Sequence, residues 1–356
     1  MNISKFDDRV MKIDDVSDVY LLSEAADYCR RKAREHYENF SVASFLLPCE
    51  LRLPMEIIYA YCRYSDDLGD DNDGSEIARK IAVEKLNQWE IELNKCFNFA
   101  LNSENLTTQL TPDNLPVTHP IFVALINVVR RFRLSKEPFA NLLTAFRQDQ
   151  IKQQYETMDE LLGYCRNSAD PVGRIVLHLA FAADRQRKIK NIAKSKFNPK
   201  SPQENTTTIN TNNEIKIDQK LLNWSDSICT GLQLANFWQD ISRDLLLGRC
   251  YIPREIALRY GVDLGRLSWG EEFRLMMIEL VADARKRILD GVPLLDELPD
   301  LIKFDIAIII RGGLAILDAI KNINYNVLKQ RPIVSRLKKF NIIIATLIRK
   351  KITSSQ

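Results

Sequence analysis

The chain has 356 residues, 50 Lys and Arg against 47 Asp and Glu, a net charge of +3 and 46% hydrophobic residues. So even a charge balance gives no electrostatic case for nucleic acid as a partner, and the apolar content can fill one sizeable core with no composition break that demands two domains. Seven cysteines (Cys29, Cys49, Cys62, Cys96, Cys165, Cys229, Cys250) without a CxxC pair, and three widely separated histidines (His36, His119, His178), argue against a disulfide scaffold, a zinc ribbon and a histidine-based triad. The N-terminus lacks a secretion signal and no 18-residue uncharged apolar run occurs. A cytoplasmic protein is expected, soluble or peripheral at the inner face of the membrane.

Residues 18–37 carry apolar positions at helical spacing, with Arg and Lys towards the end, and predict an amphipathic helix. His36 and Asn39 stand at the polar break that follows, open to two readings: an ordinary helix terminus or a ligand contact. Pro54 is expected to open the next helix, where Tyr59, Arg63, Asp66 and Asp70 are spaced four, three and four along one face, with Asp67 and Asp71 beside them. Gly69 costs this helix about 1 kcal/mol relative to Ala, and suits close approach of a neighbouring helix or ligand.

Residues 76–100 predict another helix, and HPIFVALINVVRRF from His119 is apolar nearly all round, as in a buried helix. PFANLLTAFRQDQIKQQY continues the helical pattern, with Arg147, Gln150 and Gln154 at polar positions; Asp149 reads as a weaker acid candidate, solvated at the surface. In DELLGYCRNSADPVGRIVLHLAF, Pro171 disfavours helical geometry at Asp170. A kink between Ser168 and Gly173, exposing Tyr164 or Asn167 to a cavity, or else a break between two helices, is expected there. Residues 189–220 are poor in apolar side chains and read as a flexible polar insertion between core helices.

A second polar stripe follows in QLANFWQDISRDLLLGRCYIP. Gln233, Asn236, Asp240 and Asp244 are spaced three, four and four, which sets the carboxylates about 40° apart and roughly 6 Å along a helix axis. Leu232, Leu234, Phe237, Trp238 and Ile241 flank them, so the stripe is expected to line a cavity. Gly248 ends the helix, with Arg249, Tyr251 and Pro253 beyond. Mg²⁺ takes oxygen ligands from a few carboxylates together with substrate phosphates, so two opposed acidic helices predict a diphosphate site.

Beyond it come a short helix and loop, a long amphipathic helix capped by Gly291, and a mostly apolar helix with a packing point at Gly312 and Gly313. The last stretch sets Arg331, Arg336, Lys338, Lys339, Arg349, Lys350 and Lys351 around apolar residues; it either lies on an anionic bilayer or docks on the core with its cations in water. No strand alternation, phosphate-binding glycine loop or dinucleotide fingerprint appears. The expectation is an all-α chain, a single-domain helical bundle over residues 1–332 with a central cavity and a basic amphipathic tail over 333–356.

The motifs YAYCRYSDDLGD, YCRNSADPVG and QLANFWQDISRDLLLGRCYIP resemble the squalene/phytoene synthase family of head-to-head isoprenoid synthases. ENFSVASFLLP, NFWQD, and YCRNSADPVG in place of Val-Ala-Gly-x-Val-Gly look like its bacterial hydroxysqualene synthase branch of hopanoid and squalene biosynthesis. The resemblance implies an isoprenoid-synthase-type bundle and Mg²⁺ held by Asp66 and Asp70 on one side and Asn236 and Asp240 on the other, with Asp244 the last acid. It further implies His36, Asn39, Tyr59, Arg63, Gln233, Arg249 and Tyr251 as substrate contacts and Tyr164 in the central cavity. Gln239 departs from the Arg of many relatives, Tyr37 and Asn39 from the usual serines, and Asp170 from the branch's Asn. The first two departures favour a branch that handles one diphosphate. The implied activity is lyase-type conversion of presqualene diphosphate to hydroxysqualene by diphosphate ionisation and water capture, without NADPH, downstream of a presqualene diphosphate synthase. The alternatives are condensation of two prenyl diphosphates to presqualene diphosphate, dehydrosqualene or phytoene, and a non-catalytic lipid-binding or assembly factor.

Overall fold

The computed structural model describes residues 22–35, 47–70, 74–102, 115–196 and 215–353. His36, Tyr37, Asn39 and Asp71 lie outside them. Among the described residues the regular structure is helical, apart from an isolated parallel bridge between Gln154 and Cys250.

Helix α1 (Leu22–Glu35) packs on α2 (Cys49–Asp70) and on α4 (Pro120–Phe132). α2 starts at Cys49, directly after Pro48, so Pro54 lies inside the helix and does not open it. α3 (Glu76–Leu101) is capped by the Ser75 hydroxyl, which accepts from the Ala78 amide at 3.2 Å. His119 caps α4 by accepting from the Ile121 amide at 3.3 Å, and burial lowers its pKa to about 3, which makes it a neutral cap and no proton carrier. Satisfied buried polar groups join α2 to α5 (Glu137–Ile151) and to α3. Tyr61 donates to the Phe139 carbonyl at 3.1 Å, while Ser65 donates to the Tyr61 carbonyl at 2.7 Å and accepts from Trp89 at 2.9 Å. A Cβ on Gly69 would stand 3.1 Å from Gln150 Nε2, so the helix-weakening glycine marks the close approach of α5 to α2.

α6 (Met158–Ser168) and α7 (Asp170–Lys196) are separate helices broken at Ala169, whose φ of −121° and ψ of −51° leave the helical region. Of the two expectations for this stretch, the break is the one found. α7 continues to Lys196, and Ile215 and Ile217 pack against the core, so the polar insertion is narrower than 189–220 at both ends. α8 (Gln219–Leu246) is the central helix. It contacts α6, α7, α10 (Glu271–Asp290), α11 (Leu294–Glu297) and α12 (Asp300–Asn322), with the short α9 (Arg254–Arg259) following it in the chain. α10 ends at Gly291, as its sequence predicts. α13 (Arg336–Thr353) docks on α12, where Arg311 meets the buried Thr346 hydroxyl. No described helix is long and apolar enough to cross a membrane.

Candidate active site

The C-terminal ends of α2, α5 and α8 meet at one end of the bundle. After α8, Gly248 adopts φ +72°, a left-handed conformation that favours glycine, and turns the chain back beneath the helix. The Cys250 amide then donates to the Gln153 carbonyl beyond α5 at 2.8 Å, and Arg249 Nη2 donates to Asp70 Oδ1 at the end of α2 at 2.7 Å. Three helix C-termini, each carrying partial negative charge, thus converge with the carboxylates.

The α2 stripe contributes Asp66, Asp67 and Asp70. Arg63 pairs with Asp66 at 3.0 Å and with Asp67 at 2.6 Å, and Tyr59 lies half-buried one turn further back, its hydroxyl pKa raised by burial. Burial raises the Asp66 pKa to about 7, reinforced by Asp70 and opposed by Arg63. From α8, Asp244 is likewise raised to about 7, first by burial and then by Asp240, against Arg249. Asp240 is held by the Arg331 guanidinium. Gln233 is half-buried on the same helix, and Asn236 is exposed.

Asp149 corrects the expectation of a solvated surface acid. It accepts from the Tyr164 hydroxyl at 2.8 Å, and burial raises its pKa to about 7. The Tyr164 bond and Arg249 oppose that rise, and the charges of Asp70 and Asp66 add to it, which places Asp149 in the same acidic field. The missed signal was positional: Asp149 continues the buried α5 series Leu142 and Ala145 by helical spacing. In the sequence Arg331 stands only as one cation of a basic tail. It sits in the loop before α13, where no local periodicity marks it.

Behind the acids lies an aromatic wall. Tyr251 stacks on Phe237 with ring centroids 3.9 Å apart and planes at 9°, and Tyr164 packs against both at 6.0 and 6.1 Å. Tyr155 closes the group, 5.8 Å from Tyr164. Burial, and next the charge of Asp149, raise the Tyr164 and Tyr251 pKa values, so both phenols stay protonated. Burial works against the Arg249 cation, yet its bond to Asp70 raises its pKa on balance.

The structure therefore brings together Asp66, Asp70, Asp240, Asp244, Arg63, Arg249, Tyr164 and Tyr251 of the sequence-predicted set. The donor chemistry fits a hard divalent cation: oxygen ligands only, carboxylates that raise one another's pKa, and three helix C-termini at one mouth. Among the described residues, no three acidic, His or Cys side chains converge closely enough to chelate one ion as they stand. Arg63, Arg249 and Arg331 hold the acids as separate pairs.

An all-helical bundle in which two helices bring their carboxylates together over an aromatic wall is the class of protein that the fold and this cluster define. More particularly, the chain belongs to the squalene/phytoene synthase family, whose model matches residues 33–338. It is 26% identical over 322 residues to phytoene synthase 2, chloroplastic, of Solanum lycopersicum, covering 90% of this chain and 88% of that protein. It is 27% identical over 289 residues to the hydroxysqualene synthase of Sinorhizobium fredii, covering 79% and 78%. Among solved structures, squalene synthase HpnC from Alicyclobacillus acidocaldarius superposes with a TM-score of 0.66 at 32% identity, covering 86% of this chain and 96% of that one.

Proposed function

We propose that this protein converts presqualene diphosphate to hydroxysqualene with the help of a divalent cation. The observation that carries the reading is the acidic mouth itself, where Asp70, one turn beyond Asp66 on α2, is tied through Arg249 to the chain that follows the α8 motif, with the aromatic wall directly behind. Asp66, Asp70, Asn236, Asp240 and Asp244 would hold Mg²⁺, with Asp149 beside them. When bound, the cation supplies neutralisation of the diphosphate charge.

The chain's own residues do the rest. Arg63, Arg249 and Arg331 offer guanidinium groups to the leaving diphosphate as its charge develops. Breaking the C–O bond leaves a carbocation, which the faces of Phe237 and Tyr251 stabilise through their π-systems. Because Tyr164 and Tyr251 stay protonated, neither phenol competes as an anionic nucleophile. The oxygen of one water forms the new C–O bond and its proton passes to the released diphosphate. No hydride is consumed, so NADPH is dispensable.

Two features support the single-diphosphate reading over condensation. The first is the set of motifs ENFSVASFLLP, NFWQD and YCRNSADPVG, which resemble the hydroxysqualene synthase branch, while overall identity to a hydroxysqualene synthase and to a phytoene synthase is the same within one percentage point. The second is Gln239, which is buried and donates to the Pro332 carbonyl at 2.6 Å where many relatives are expected to carry a phosphate-binding Arg. The test is mass spectrometry of products from purified protein with Mg²⁺ and no NADPH, fed presqualene diphosphate in one arm and farnesyl diphosphate in the other. Hydroxysqualene from the first arm alone is the expected result, abolished in Asp66→Asn and Asp240→Asn. A C30 hydrocarbon, or presqualene diphosphate, from the second arm would move the protein to the condensing enzymes. No product in either arm would leave the lipid-binding reading.

A further inference from the structure

The acidic end of the bundle carries an apolar rim that neither the core nor the site chemistry uses. Leu246 is 88% exposed, Ile151 81% and Ile77 74%, the three most exposed large apolar side chains among the described residues. Leu247 adjoins Leu246, and Ile81 follows Ile77 by one helical turn; both are exposed. These five side chains come from three elements, the last turns of α5 and α8 and the first turns of α3. The elements are tied together around the site. Arg79 of α3 meets the Gln153 side-chain amide, the Gln153 carbonyl accepts from Cys250, and Arg249 reaches Asp70. Single exposed aliphatics are ordinary, but five on elements tied together at one end of the bundle are a patch.

We propose that this rim is a bilayer-docking face, on which Ile77, Ile81, Ile151, Leu246 and Leu247 enter the apolar boundary of a lipid membrane and hold the mouth of the site against it. A second copy of the chain is a poorer occupant. A stable protein interface takes roughly 20–30 residues a side with a matched surface, and five aliphatics at a charged end of the bundle offer far less. A bilayer accepts separate aliphatic side chains without shape complementarity. Three basic side chains beside the rim are paired, Lys80 with Glu76 at 2.7 Å, Lys152 with Glu160, and Arg254 with Glu156 at 3.7 Å. With those pairs formed and the carboxylates of the site at the same end, the face has no electrostatic pull towards anionic headgroups, and a zwitterionic surface suits it better. The substrate chemistry, which rests on the function proposed above, supplies the purpose: a C30 chain partitions into lipid and reaches the site without crossing water. The face differs from the terminal helix, for which lipid contact and core docking were both open from sequence, because α13 docks on α12.

The experiment is flotation of the full-length protein with vesicles of pure phosphatidylcholine, comparing wild type with Leu246→Asp/Leu247→Asp, with Ile151→Asp, and with Leu337→Asp on α13 as control. Melting temperature and elution volume are recorded for each. The expected result is that wild type and Leu337→Asp float, while the rim variants partition about tenfold less or weaker still, on the scale of one buried aliphatic side chain, at unchanged melting temperature. Wild type that stays in solution, rim variants that float like wild type, loss through Leu337→Asp alone, or a wild-type dimer that the rim variants dissolve would each overturn the proposal. No substrate is used, so a failed activity assay and a failed flotation are separate results.

Discussion

Arg331 and Asp240 stand 91 positions apart in sequence, yet the guanidinium grips both carboxylate oxygens, Nη2 to Oδ2 at 3.0 Å with Nε on Oδ1, and reaches Gln239 Oε1 at 3.2 Å. One loop cation therefore fixes two consecutive side chains of α8, and Gln239 returns the contact through the Pro332 carbonyl at 2.6 Å. The segment before α13 is thereby fastened to the second acidic motif.

Arg331→Ala leaves Asp240 beside Asp244 without its counter-charge. Both partners keep some solvent, with side chains 33% and 24% exposed, so the expected loss is about 1–2 kcal/mol and short of that for a fully buried pair. Arg331→Lys should fall between, since an ammonium cannot grip both oxygens. Urea midpoints for the three proteins check this; identical midpoints for wild type and Arg331→Ala would refute it.

Tyr164→Phe removes the donor that opposes the rise in the Asp149 pKa. The Asp149 pKa then moves above about 7, and the acid limb of a kcat/KM profile with the proposed substrate should shift to higher pH. A stability loss of about 1 kcal/mol should accompany it. An unmoved acid limb would show that Asp149 does not titrate in catalysis.

The α2 and α8 stripes were legible because helical periodicity turns spacing into a face, and carboxylates on a face flanked by Leu234, Phe237 and Trp238 have a restricted set of uses. Pro171 marked an interruption at the α6–α7 junction without deciding between a kink and a break, and Gly248 marked the end of α8. Asp149 is not legible in the sequence because a lone acid near a polar helix end looks the same whether the end meets water or a second acidic helix; only α2 and the chain after α8 bring it into the acidic cluster. Arg331 was hidden for a related reason. A pairing between a loop and a distant helix leaves no mark in local pattern, and its basic neighbours made it look like part of a solvated tail.

Gly173→Ala tests the spacing that lets α7 lie on α8. A Cβ there would stand 2.4 Å from Ser225 Oγ and 2.6 Å from Cys229 Sγ, inside van der Waals contact. The helices must part or the two α8 side chains must rotate, at an expected cost of about 1–3 kcal/mol. Gly173→Ala in a Ser225→Ala/Cys229→Ala background should recover most of the loss. Equal melting temperatures for wild type and the single variant would place the α7–α8 contact elsewhere.

Asp170→Asn separates charge from shape one turn before Gly173. Asp170 is 3% exposed and accepts from Thr230 Oγ1 at 2.9 Å. Burial, and then the charge of Asp226, raise its pKa from 3.8 to about 7, against the Thr230 bond and Arg174. Between about pH 4 and pH 7 the folded protein therefore binds more protons at this site than the unfolded chain, so the contribution of Asp170 to stability falls as pH rises through that window. An Asn keeps an acceptor for Thr230 and cannot ionise. Relative to wild type, the variant should show little change in stability near pH 4 from this source, and a gain on the order of 2 kcal/mol by pH 8. Denaturant titrations of both proteins at the two pH values measure the difference, which is insensitive to the other raised carboxylates because they are common to both. A gap of the same size at both pH values would mean that Asp170 is ionised in the folded protein throughout, with Arg174 outweighing burial.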